Sequence, residues 1–98
     1  GRHTLQKTQY GMKKLGAIRG VRIRFRSAPF KEFVVDFTRT EKSVAKINRY
    51  LLRHHIFGGK DLSHEFPELR GCALYCITEM VTGADIDNLA GVLKDYLR

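Results

Sequence analysis

No stretch of this sequence approaches the apolar length of roughly 18–20 residues that a membrane-spanning helix needs. Nor does it show the basic start, apolar middle and small-residue cleavage site of a signal peptide. Cysteine is scarce, with two residues, Cys72 and Cys76. They stand four apart in a stretch that reads as a strand, and four strand steps cover about 13 Å, whereas a disulfide needs Cα atoms within about 7 Å. The pair is therefore expected to stay reduced, which points to the cytoplasm. Their spacing does not suit a zinc knuckle, and no second Cys/His pair stands at ligand spacing. Acidic residues are absent from residues 1–30, which carry Arg2, Lys7, Lys13, Lys14, Arg19, Arg22, Arg24 and Arg26.

The signatures of common catalysis are missing as well. Gly58-Gly59-Lys60 lacks the rest of a phosphate-binding loop. Ser43 and Ser63 have no flanking nucleophile-elbow glycines. Cys72 and Cys76 lie in an apolar run without the cation or helix N-terminus that activates a thiol, so both are expected to pack in the core. Lys60 reads as a solvated loop lysine rather than an activated amine. His54 and His55 are adjacent, point to different sides of a helix, and are assigned to a helix C-terminus rather than to a metal. No catalytic, cofactor-binding or metal-binding residue is identified.

What is present is a chain of 98 residues with 43% hydrophobic and 29% charged residues, suited to a single soluble domain spanning 1–98. Its net charge of +8 resides entirely in the first third, because the ten remaining basic residues are matched by all ten acidic ones. Such a basic segment is either a nucleic-acid footprint or a face that meets an acidic partner or the rest of a parent chain. The start at Gly1 rather than Met is consistent with a piece of a longer chain.

Leu5, Thr8, Met12 and Leu15 recur at helical spacing before Gly16. Val21, Ile23 and Phe25 alternate with Arg22, Arg24 and Arg26, which predicts a half-buried strand with an arginine face. Ser27 to Phe30 connect it to a second strand carrying Phe33, Val35 and Phe37 on one side. A hairpin would set Glu32 and Asp36 against the arginines, partly neutralising them inside the fold. Thr40 is the expected N-cap of the next helix, with Glu41 in its first turn and Val44, Ile47, Leu51 and Leu52 as its stripe. Residues 56–71 lack any sustained period and read as one long loop, functional or docked, in which Gly58-Gly59 permits a turn with positive φ. Ala73 to Ile77 form an apolar run that fits a central strand. Thr82 and Asp85 make a capping box ahead of a helix with Ile86, Leu89, Ala90, Leu93 and Leu97 on one side. The expected fold is α+β: a small three-stranded sheet, mixed or antiparallel, with helices on one face.

The series Ile56-Phe57-Gly58-Gly59-Lys60-Asp61-Leu62, Phe66-Pro67-Glu68-Leu69, Cys76-Ile77-Thr78-Glu79 and a capped helix resembles the C-terminal end of subunit 1 of glycine dehydrogenase (decarboxylating), the P-protein of the glycine cleavage system. Upstream, Pro29-Phe30-Lys31-Glu32-Phe33-Val34-Val35 resembles the strand that opens that family's small domain. The chain departs from the pattern at Lys60, Ser63, His64 and Met80. The resemblance implies the small C-terminal domain of an aspartate-aminotransferase-type pyridoxal-phosphate enzyme. The parent would decarboxylate glycine with pyridoxal phosphate and pass the aminomethyl group to the lipoyl arm of H-protein. Its cofactor lysine would belong to subunit 2, the other partner of the assembly. Within this chain the resemblance places Gly58, Gly59, Asp61, Leu62, Thr78 and Glu79 near the cleft or an interface. Two alternatives stay open: a free-standing RNA-binding α+β module, and the small domain of another pyridoxal-phosphate enzyme such as an aminotransferase, for which Arg70 would have to meet the substrate carboxylate. The first lacks the Gly-aromatic pattern of an RNA-recognition strand.

Overall fold

The structure is a computed structural model and describes residues 2–27, 32–78 and 80–98. Seven elements follow one another: α1 (Arg2–Gly16), β1 (Arg22–Ser27), β2 (Glu32–Asp36), α2 (Val44–Arg53), β3 (Lys60–Asp61), β4 (Cys72–Cys76) and α3 (Gly83–Leu97). Of the expected connection from Ser27 to Phe30, Ser27 belongs instead to β1, and residues 28–30 lie outside the described residues.

The sheet has four strands in the order β1-β2-β4-β3, and every neighbouring pair is antiparallel. The α+β class is as expected, and of the two pairings left open the sheet takes the antiparallel one; the fourth strand is additional. β3 has two residues, too short for any alternation to show in sequence. It uses the carbonyl and amide edge of β4, where Lys60 stands opposite Leu74 and Asp61 opposite Ala73. The stretch between α2 and β4 reverses the chain once more, so β4 returns antiparallel to β2.

One face of the sheet carries the core. Phe33, Val35 and Phe37 from the second strand and its exit meet Ala73, Tyr75 and Ile77 from β4 and its exit. Against them pack Leu15 of α1, Val44, Ile47 and Leu51 of α2, and Leu89, Ala90 and Leu93 of α3. All three helices thus cover a single face, with α3 in contact with both α1 and α2. Phe33, Val35, Phe37, Ile47, Leu51 and Leu93 are fully buried, and each such side chain stabilises the fold by about 1.5–3 kcal/mol. Outside the core, Tyr50 stacks on Tyr96 at 4.3 Å and Lys42 lies 5.0 Å from the Tyr96 ring, joining α2 to α3.

Four local expectations change. The N-cap of α2 is Ser43, whose side chain accepts from Lys46 N, and not Thr40. Thr40 instead closes a short 3-10 turn by donating to Phe37 O at 2.6 Å, while Glu41 follows in the left-handed region at φ 63°. Leu52 is 56% exposed and leaves the stripe to Val44, Ile47 and Leu51. β1 does not alternate throughout: a bulge between Ile23 and Phe25 shifts the register, so Phe25 stands opposite Val34 and Arg26 opposite Phe33. Cys72 is buried as expected, but Cys76 is exposed, because it lies on the face of β4 opposite the core residues Ala73, Tyr75 and Ile77. The capping box of α3 is present as read, Thr82 accepting from Asp85 N and Asp85 from Thr82 N.

Candidate functional site: the strap from α2 to β4

α2 does not stop at glycine. His55 N donates to Leu52 O and Ile56 N to Leu51 O, a Schellman arrangement whose left-handed residue is His55 at φ 62°. Gly58 and Gly59, expected to supply positive φ, serve close approach instead. A Cβ on Gly59 would sit 2.5 Å from Tyr75 Cδ1 and 2.7 Å from the Leu74 carbonyl oxygen. One on Gly58 would sit 2.0 Å from Asn48 Oδ1. Only bare backbone can lie this flat between α2 and the ring of Tyr75. Asn48 Nδ2 holds it there by donating to Gly59 O at 2.8 Å.

Beyond β3 the strap stays attached to the sheet. Leu62 N donates to Cys72 O, Leu62 is buried, and Asp61 Oδ1 accepts from Ser63 N at 2.9 Å. Although burial opposes it, the bonds from Ser63 hold the Asp61 carboxyl below its ordinary value. Ser63 Oγ accepts from Gly71 N, and Gly71 O accepts from Phe37 N at 2.8 Å. Pro67–Leu69 form a 3-10 turn. The long loop is therefore an ordered edge, with Phe66 43% and Phe57 88% exposed.

Five of the six residues singled out in sequence divide into two groups. Gly58 and Gly59 run beside the C-terminal end of β4, the end from which Thr78 emerges, exposed, with Oγ1 accepting from Met80 N. Asp61 and Leu62 lie toward the opposite end of β4 and act within the fold. Glu79 lies outside the described residues. At the first end a groove of about 320 Å³ opens between His55, Phe57, Cys76, Val81 and Asp85. Met80, 86% exposed, sits in the adjoining turn. Sequence reading missed Asn48 and Tyr75, which looked like ordinary helix-surface and core positions. Asn48 Oδ1 and the Tyr75 hydroxyl are both buried without a hydrogen-bond partner among the described residues. Burial pushes the Tyr75 phenol up to about 12, so it stays protonated.

On the other face of the sheet Arg22 pairs with Asp36, and Arg24 Nη1 lies 3.9 Å from Cys72 Sγ. Glu32 stands opposite Ser27 rather than an arginine. Burial raises the Cys72 thiol despite Arg24, the reverse of what a nucleophile requires. Lys60 is well exposed and its Nζ lies 2.9 Å from Glu65. Among the described residues no group of three His, Cys, Asp or Glu could hold a metal ion, and no helix is long and apolar enough to cross a membrane.

A relative from Desulfitobacterium hafniense, named "Probable glycine dehydrogenase (decarboxylating) subunit 1", is 44% identical over 88 residues, 90% of this chain and 19% of the relative. Over nine tenths of its length the chain is homologous to a part of glycine dehydrogenase (decarboxylating) subunit 1. A relative of the same name from Desulforamulus reducens is 40% identical over 91% of the chain, and one from Anoxybacillus flavithermus 39% identical over 94%. The chain spans about a fifth of the length of these relatives. A crystal structure of glycine decarboxylase (P-protein) of the glycine cleavage system, in inhibitor-bound form, superposes with a TM-score of 0.77 at 25% identity, covering 94% of this chain and 20% of that one. No family model matches the chain. Lys60, the lysine of the strap, is solvated and paired with Glu65.

Proposed function

We propose that residues 1–98 are the small C-terminal domain of subunit 1 of a glycine dehydrogenase (decarboxylating), and that the domain lines a cleft and holds the assembly together. The observation that carries this reading is the identity of 44% across 90% of the chain to a protein of that name. The fold likeness to a glycine decarboxylase supports it. The parent protein would decarboxylate glycine with pyridoxal phosphate and hand the aminomethyl group to the lipoyl arm of H-protein. Subunit 2 would supply the cofactor lysine. The domain would contribute the end of the strap around Gly58, Gly59 and Thr78, with exposed Phe57 and Met80 as apolar contacts for the rest of the parent assembly. The unpaired thiols of Cys72 and Cys76 support a cytoplasmic setting.

The test is exchange of labelled bicarbonate into the glycine carboxyl group. The full-length protein combined with subunit 2, pyridoxal phosphate and H-protein is expected to catalyse it. The 98-residue chain alone is expected to give neither exchange nor an aldimine absorbance. Exchange by the chain alone, or none by the complete mixture, would overturn the reading.

A further inference from the structure

A groove of about 630 Å³ runs between the C-terminal halves of α1 and α3. Its floor is small and apolar, made by Ala17, Ile18, Ala90, Gly91 and Leu97. Its rim carries four cations, Lys14, Arg19, Lys94 and Arg98, against one acid, Asp87. Lys14 lies 3.7 Å from Asp87, which also accepts from the Tyr10 hydroxyl, and Arg98 lies 3.3 Å from Asp95. Arg19 and Lys94 form no ion pair with the described residues.

The fold alone does not explain this arrangement. Cations suit helix C-termini, which accounts for Lys14 and Lys94, but Arg19 lies beyond the end of α1. Gly91 stands inside α3, where glycine costs about 1 kcal/mol relative to alanine. Nothing lies within 4 Å of a Cβ built there, so no neighbour requires a glycine. The position keeps the floor flat and open.

We propose that this groove docks an acidic segment with apolar anchors, belonging to a separate protein that associates reversibly with the domain. Charge complementarity argues for the acidic character, since the rim holds a surplus of positive charge above an apolar floor. A small apolar centre inside a charged, exposed rim is the composition of a non-obligate interface, steered by electrostatics. Nucleic acid fits less well, because Ile18 and Leu97 offer phosphates nothing and Asp87 repels them. A second copy of the chain is less suited, because at +8 it repels the cationic rim, and Asp36, Glu65, Asp85, Asp87 and Asp95 are engaged locally. The inference does not depend on the catalytic reading of the parent protein.

The experiment uses the full-length protein and a fluorescent synthetic peptide of glutamate and leucine in helical repeat, followed by anisotropy at low salt. The peptide is expected to bind saturably, and its glutamine counterpart at least tenfold more weakly. Arg19→Glu combined with Lys94→Glu should weaken binding about tenfold, as should Gly91→Trp, which fills the groove. Gly91→Ala, which leaves the floor nearly flat, should retain it. The charge-matched pair Lys46→Glu with Arg53→Glu, exposed on α2, should also retain it. Thermal melting establishes that each variant is folded. Absence of saturable binding, equal loss in the α2 pair, or indifference to the groove substitutions would overturn the proposal. Displacement of the peptide by a uridine oligonucleotide that senses the same substitutions would overturn it in favour of nucleic acid.

Discussion

Arg22 and Asp36 face each other across β1 and β2, with Nη2 3.1 Å from Oδ2. Asp36 is 4% exposed, and its other oxygen accepts from Thr38 N at 2.8 Å and Thr38 Oγ1 at 2.6 Å. Burial opposes the charged form, but these bonds outweigh it and hold the carboxyl below its ordinary value. A depressed carboxylate pKa adds stability that is fully present above the unfolded value of about 3.9 and is lost as pH falls through the folded one. Melting temperature should therefore fall in that acid range, and Asp36→Asn should flatten part of the fall. At neutral pH Asp36→Asn should cost about 1–3 kcal/mol, because it leaves Thr38 and Arg22 with a weaker acceptor. Arg22→Met should cost less, since the arginine is half exposed. An unchanged melting curve for Asp36→Asn would sink this account.

The two thiols should differ in reactivity. Cys72 is fully buried with its pKa raised by burial, and Cys76 is exposed. In the native chain a disulfide reagent should label one thiol at once and the other only after unfolding. Peptide mapping should place the fast label on Cys76. Equal rates would contradict the burial of β4.

Glycine substitutions should have opposite signs at two sites. Gly59→Ala forces a methyl against Tyr75 and the Leu74 carbonyl, a clash that typically costs about 1–3 kcal/mol. Gly91→Ala meets nothing and should stabilise α3 by roughly 0.5–1 kcal/mol. Chemical denaturation of the two variants measures both, and a destabilised Gly91→Ala would show that the α1–α3 groove is tighter than described.

These cases show where sequence was legible. The box at Thr82 and Asp85 and the stripe from Ile86 to Leu97 are local and periodic, so α3 could be read directly. The Arg22–Asp36 pair followed from alternation, but alternation could not reveal the bulge after Ile23, which moves Arg26 opposite Phe33. β3 was invisible because two residues have no period, and its partner β4 lies eleven residues on. Ser43 displaced Thr40 as the cap because Phe37 first closes a tight turn on Thr40. At the candidate site the glycines were legible and their reason was not. Close approach depends on Tyr75 and Asn48, which are distant in sequence and adjacent only once the strap is laid down.

The exposed apolar residues at the end of the strap provide a test of the assembly role. Phe57 is 88% exposed and Met80 86%, so neither adds much to the stability of the isolated domain. Phe57→Ser and Met80→Ser should each change its unfolding free energy by no more than about 0.5 kcal/mol. If these side chains are buried against subunit 2 in the parent assembly, the same substitutions should weaken the association of the two subunits. A buried aromatic anchor typically contributes 2 kcal/mol or more, which corresponds to a loss of about thirtyfold. Subunit association can be followed by analytical ultracentrifugation of full-length variants, with Leu52→Ser on the exposed side of α2 as the comparison. Loss confined to Phe57 and Met80 supports docking through this end of the domain. Equal behaviour of all three variants, or destabilisation of the isolated domain by Phe57→Ser, would show that the exposed pair has no part in assembly.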